Sequence, residues 1–230
     1  MPPEPSPERA RVLGSLAQYL LIVDRFAELR GPAEEAIATA ERVGARAEEA
    51  NARTALGGAL IYLGDADAGL AELEVARRLA SQAGDVIGLL RAIVNHSDAL
   101  LAAGRLDEVA TVALDGIEEA RRLGLACRSG PILACNATVA LVDLGRWDEA
   151  ERVSREGLEG APPDAAFVDL PLARVTLELG LGEFDAAEAR LQAVRRLFPA
   201  PIAEAQMAGP LLPAWPSWHC GVAIRSKPSS

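Results

Sequence analysis

Lysine is all but missing from this 230-residue chain: Lys227 is the only one. A nucleotide-binding P-loop needs a lysine behind its glycine-rich turn to reach the phosphates, and no GxxxxGK surrounds Lys227. Nucleotide binding by that mechanism is excluded. The two histidines, His96 and His219, have no second ligand three or four residues away, so neither begins a metal site on a helix. Cys127, Cys135 and Cys220 form no CxxC pair and no regular framework. They read as small buried groups in a reducing compartment. No apolar run approaches the ~20 residues that span a bilayer. The Pro-rich start, Met1 to Pro5, has neither the basic nor the apolar region of a secretion signal, so a cytoplasmic location is expected.

Half of the chain is hydrophobic but only 4% is aromatic, and Ala and Leu carry most of the apolar content. Such residues suit closely packed helices better than a sandwich or barrel core. The net charge of −10 would repel a phosphate backbone, so no direct nucleic-acid binding is expected.

Four short segments can be laid one under another: Gly64-Asp65-Ala66-Asp67, Gly104-Arg105-Leu106-Asp107, Gly145-Arg146-Trp147-Asp148 and Gly182-Glu183-Phe184-Asp185. Their glycines are 40, 41 and 37 residues apart. A degenerate copy, Asp24-Arg25-Phe26-Ala27, precedes the first by 40. A second series, Gly44, Gly84, Gly124 and Gly160, runs between them. Two interleaved series at one period predict a repeat of helical hairpins. The fold class expected is all-α: a right-handed solenoid of about five antiparallel hairpins filling residues 1–209. Ala52, Ala55, Leu56, Ala59, Leu60 and Leu63 show the spacing of one buried helical face. Gly64 then ends that helix, and Asp65 or Asp67 caps the next.

The hairpins are expected near residues 6–22 and 26–43, then 47–63 with a second helix through Leu70, Leu73, Ala76, Leu79 and Ala80 that ends at Gly84, then 86–103 and 106–123, 129–144 and 147–158, and 164–179 and 184–197. Pro131 is expected in a first turn, where its missing N–H costs nothing. Pro171 predicts a kink or a start near residue 170. Neither end carries a convincing polar cap, so self-association through exposed apolar ends is expected.

Leu56-Gly57-Gly58-Ala59-Leu60-Ile61-Tyr62-Leu63-Gly64-Asp65 resembles the first helix and turn of a tetratricopeptide repeat. Gly145-Arg146-Trp147-Asp148-Glu149-Ala150-Glu151 resembles the start of the second helix. The period near 40, with Leu144-Gly145-Arg146-Trp147-Asp148-Glu149-Ala150 and Glu183-Phe184-Asp185-Ala186-Ala187, more closely resembles one setting. It is the C-terminal helical-repeat sensor region of large ATP-binding LuxR-type (MalT-like) transcriptional regulators. The resemblance implies a signalling segment without the ATPase and helix–turn–helix domains. It also implies a concave groove, lined by the first helix of each hairpin, that takes a protein partner or small effector. In the tetratricopeptide register the groove-facing residues are Asn51, Thr54 and Tyr62, then Arg91 and Asp98, Cys135 and Asp143, and Asp169 and Thr176. Scattered polar groups of this kind equally suit plain solvated surface.

A free-standing tetratricopeptide-type adaptor is the alternative, and a small all-α enzyme a weaker third reading. Asn95-His96-Ser97-Asp98 offers the residue types of a hydrolytic triad, but consecutive helical residues point in different directions. Glu34-Glu35 and Glu118-Glu119 read as solvated helix faces. No catalytic residue, metal or cofactor is expected.

The helical pattern stops before residues 210–230. The other reading frame of residues 214–221 can spell a helix and Gly turn in phase with the earlier units. A frame shift shortly before Pro213, and hence an irregular tail, is the expectation.

Overall fold

The computed structural model describes residues 4–160 and 169–197. The tail expected to be irregular lies outside them. The described residues form ten helices and no strand: α1 Pro7–Ile22, α2 Phe26–Val43, α3 Arg46–Tyr62, α4 Ala66–Ala83, α5 Val86–Ala102, α6 Leu106–Arg122, α7 Ala126–Asp143, α8 Trp147–Glu159, α9 Asp169–Leu181 and α10 Phe184–Leu197. The chain is all-α. No described helix is long and apolar enough to cross a membrane.

One turn, used again and again, separates the helices. The amides of residues 25, 45, 65, 85, 105, 125, 146 and 183 each donate to the carbonyl five residues earlier, at 2.8–3.0 Å. This bond satisfies a carbonyl that the ending helix leaves without a partner. The residue before each donor has a positive φ, seven times a glycine and once Asp24, at 57°. The two glycine series are therefore one structural series recurring about every 20 residues. Gly160 departs from it, keeping φ −83° at the end of α8.

Helix starts are fixed locally too. Ser6 accepts from the Arg9 amide at 3.2 Å, with Pro7 at the first helical position. Asp65 and Asp85 cap α4 and α5 through the amides of Ala68 and Gly88. Before α2, α6 and α8 an arginine instead reaches a glutamate three residues on, as in Arg105–Glu108 and Arg146–Glu149.

One proline expectation needs correction. Pro131 is not in a first turn, because α7 begins three residues earlier than its pattern suggests, at Ala126. Pro131 is buried there and the helix runs on to Asp143. Pro32 likewise sits inside α2, and the sequence reading passed over it. Pro171 falls in the first turn of the described part of α9.

Each helix packs on its neighbour in sequence. The odd-numbered helices also meet one another in the order α1, α3, α5, α7, α9, whereas no pair of even-numbered helices makes more than marginal contact. The core is built largely from alanine, including Ala17, Ala33, Ala36, Ala55 and Ala59 in one cluster and Ala110, Ala113, Ala134 and Ala137 in another. Small side chains let helix axes approach closely, and α3 and α4 come together on the paired glycines Gly57 and Gly69.

Candidate functional site

Polar side chains form rungs between successive odd-numbered helices. Gln18 on α1 donates to the Asn51 carbonyl on α3 at 3.0 Å. Arg91 on α5 donates to Asn51 Oδ1 at 2.6 Å. Asn136 on α7 donates to Ser97 Oγ at 2.8 Å and to Asp98 Oδ1 at 2.5 Å on α5. Two expected groove residues, Asn51 and Arg91, are thus joined directly across a 40-residue interval. Asn136, buried with only 6% of its surface exposed, was missed. Only its place between two facing helices distinguishes it from an ordinary helix-face amide.

Asp98 keeps one side open to solvent, yet protein surrounds its carboxyl. Desolvation lifts the carboxyl to about 6; the Asn136 hydrogen bond pulls the other way, and the nearby charge of Asp169 adds to the rise. Asp98 and Asp169, expected residues from different units, therefore share one electrostatic environment. The Asp169 carboxyl is itself raised by burial. Burial also pushes the Cys135 thiol up, with Asp169 and Asp98 adding to it, so Cys135 is held as a neutral thiol rather than a nucleophile.

A carboxyl raised in the folded state costs stability once it ionises. The cost is absent below the unfolded value near 3.8 and grows as pH rises through about 6. Asp98→Asn is therefore expected to be the more stable protein above pH 6. The gain is roughly 1 kcal/mol, because water at the open side screens part of the penalty. The gain disappears by pH 4, and melting temperatures of both proteins between pH 4 and 7.5 check it. An advantage independent of pH would show that the carboxyl is not the cause.

Tyr62, 53% exposed, stacks on Phe26 with ring centroids 4.6 Å apart and planes within 6°. Desolvation raises its hydroxyl, and the charges of Asp98 and Asp24 raise it further. Phe26, Tyr62, Asp24, Asn95 and Asp98 line a hollow of about 130 Å³. Asp143 is exposed near the end of α7, and Thr176 is half-buried on α9. Thr54 corrects the groove register: it is 1% exposed and its hydroxyl donates to the Ala50 carbonyl, so it belongs to the core.

The triad residue types do not assemble. Ser97 Oγ donates to the Val94 carbonyl at 2.8 Å and accepts from Asn136. His96 instead lies among Glu74, Arg77, Arg105 and Glu108, and burial depresses its imidazole. Its Nδ1 is buried without a hydrogen-bond partner.

Larger hollows lie among even-numbered helices and their neighbours. One of about 320 Å³ is bounded by Leu114, Ile117 and Val153, and another of about 460 Å³ by Arg77, Arg78 and Glu119. Both mix acidic and basic groups at their rims. No protein-family model matches the chain, and no curated protein matches it.

Proposed function

We propose that the chain is a non-catalytic helical-repeat segment of a transcriptional regulator, taking a protein partner or small effector on the face of its odd-numbered helices. The packing asymmetry carries this reading. Odd-numbered helices touch one another while even-numbered ones stay apart. That supports a curved right-handed array of five antiparallel hairpins with α1, α3, α5, α7 and α9 on the inner side. The polar rungs through Asn51, Arg91, Asp98 and Asn136 lie along that side. Rigid helices carrying convergent polar groups suit recognition. The shared turn and the tetratricopeptide-like phrases support the MalT-like sensor origin.

The uncapped-end reading has support in α1. Val12, Leu16 and Tyr19 are 69%, 43% and 59% exposed, whereas Ala52, Leu56 and Ala59, forty residues on, are buried against α2. That face fits a preceding hairpin or a second copy of the chain.

The flanking DNA tests the regulator reading. A P-loop reading frame upstream or a helix–turn–helix downstream is expected, and a neighbourhood with neither supports the free-standing adaptor. With the protein encoded by such an upstream P-loop frame as the partner, Arg91→Ala should weaken its capture about tenfold, roughly 1.4 kcal/mol, at unchanged helical circular dichroism. Loss of helicity instead would make the Arg91–Asn51 bond structural.

A further inference from the structure

We propose that the hollow between the Phe26–Tyr62 stack and the carboxylates of Asp24 and Asp98 binds a guanidinium or primary ammonium group. The inference rests on the inner-face reading above and gives that face its ligand chemistry.

The cavity has the parts such a group requires. Two stacked rings line it, and aromatic faces attract cations. Leu21, Ile61 and Ala99 supply apolar surface for methylenes. Asp24, Asp98 and Asn95 supply acceptors. Its volume of about 130 Å³ corresponds to roughly four waters at ~30 Å³ each, the size of a side-chain head group rather than a nucleotide or sugar.

Charge supplies the direction. None of the described residues lining the hollow is basic. Among the described residues neither Asp24 nor Asp98 has an ion-pair partner, and the side chain that meets Asp98 is the neutral Asn136. Asp169 adds further negative charge nearby. Elsewhere the chain matches guanidinium to carboxylate: Arg53 meets Glu41, Glu49 and Glu72, and Glu178 holds Arg174 and Arg190. The hollow has the carboxylates of such a site without its cation. A ligand cation would lie against the rings and beside Asp24 and Asp98, gaining two attractions in a partly desolvated place.

Two probes separate the possible sources: agmatine as a free small cation, and acetyl-Ala-Ala-Arg-Ala-Ala-amide as a peptide side chain. Each is titrated into the ¹⁵N-labelled full chain at pH 7.5, with butyrate as the anionic control. Both cations are expected to saturate and to move the Tyr62 and Asp98 resonances. Asp98→Asn and Tyr62→Ala should each weaken them about tenfold, while Asp148→Asn, exposed at the start of α8, should leave them unchanged. Tighter binding of the peptide would assign a partner's basic side chain, and tighter binding of agmatine a small amine effector; either result supports the proposal. Absence of saturation with both cations overturns it. So does equal binding of butyrate, or equal weakening by Asp148→Asn, which would mean diffuse attraction to an acidic protein. A peptide that moves Asn51 and Thr176 but neither Tyr62 nor Asp98 overturns the hollow and leaves the inner-face reading standing.

Discussion

Glu178→Ala is expected to cost about 3–5 kcal/mol and to unfold α9 and α10 before the rest of the chain. Glu178 is 1% exposed and stands at the centre of a buried ion network. Its Oε1 accepts from Arg190 at 2.6 Å and from Arg174 at 3.2 Å. Arg174 reaches on to Glu151 at 2.8 Å and to Ser154 at 2.8 Å, tying α9 to α8. Removing the carboxylate leaves Arg190 without its ion-pair partner and Arg174 with half of its own. An uncompensated guanidinium in a desolvated place is what makes such a deletion expensive. The pair itself adds far less than its loss removes, since both charges were taken out of water to form it. Replacing Glu178, Arg174 and Arg190 together by Leu, Met and Met should therefore recover most of the loss. Urea denaturation followed by circular dichroism checks both variants. A change below about 1 kcal/mol in the single variant would mean that water reaches the network.

Gly57→Ala and Gly69→Ala are each expected to destabilise the chain by about 2 kcal/mol, although alanine is the better helix former by about 1. A Cβ on Gly57 would stand 2.7 Å from Leu73 Cγ and 2.8 Å from the Gly69 carbonyl oxygen. A Cβ on Gly69 would stand 2.6 Å from the Gly57 carbonyl oxygen and 2.6 Å from Ile61 Cγ1. Leucine and isoleucine tips can move, but a helix backbone cannot give way without shifting the helix. The two substitutions press on one contact, so the double variant should lose less than the sum. Gly180→Ala is the control of opposite sign. It lies in α9, where its added Cβ would meet the Trp147 ring at 3.4 Å, an ordinary contact distance, and should gain roughly 0.5–1 kcal/mol. Equal signs for Gly180→Ala and Gly57→Ala in chemical denaturation would remove the close-approach account.

The helices were legible because their punctuation is local. A positive φ at Gly44, Gly64, Gly84, Gly104, Gly124, Gly145 and Gly182 needs glycine whatever lies around it. The first helix of the second hairpin was placed within a residue of its observed ends, and the last described helix starts where it was expected. Asp24 adopts the same conformation without being glycine, and only its phase betrays it. Gly160 is glycine without that conformation, keeping φ −83° at the end of α8. Pro131 misled because α7 already begins at Ala126, which leaves the proline beyond the first turn, inside the helix.

The site was less legible, since facing residues lie some 40 positions apart and a single helix pattern cannot say which face meets which. Asn51 and Arg91 were both named from the tetratricopeptide register, but the hydrogen bond joining them was not foreseen. Thr54 was misplaced: its polar hydroxyl is satisfied by its own helix, leaving the side chain free to act as a core group. Glu178 gave no signal at all. A buried carboxylate reads like a surface one until its arginines are seen around it.

The described helices touch only neighbours one or two places away in chain order, apart from marginal contacts. Nothing in the described chain therefore ties α1 to α9 directly. A cation held between α1, α3 and α5 would stiffen those helices first, and its influence would fade with each hairpin rather than switch the whole chain at once. With the proposed ligand, such an arrangement would register where along its length it is occupied. A ligand seated near α3 and another seated near α9 would send different messages through the same molecule, and distance in the sequence would become distance along a wire.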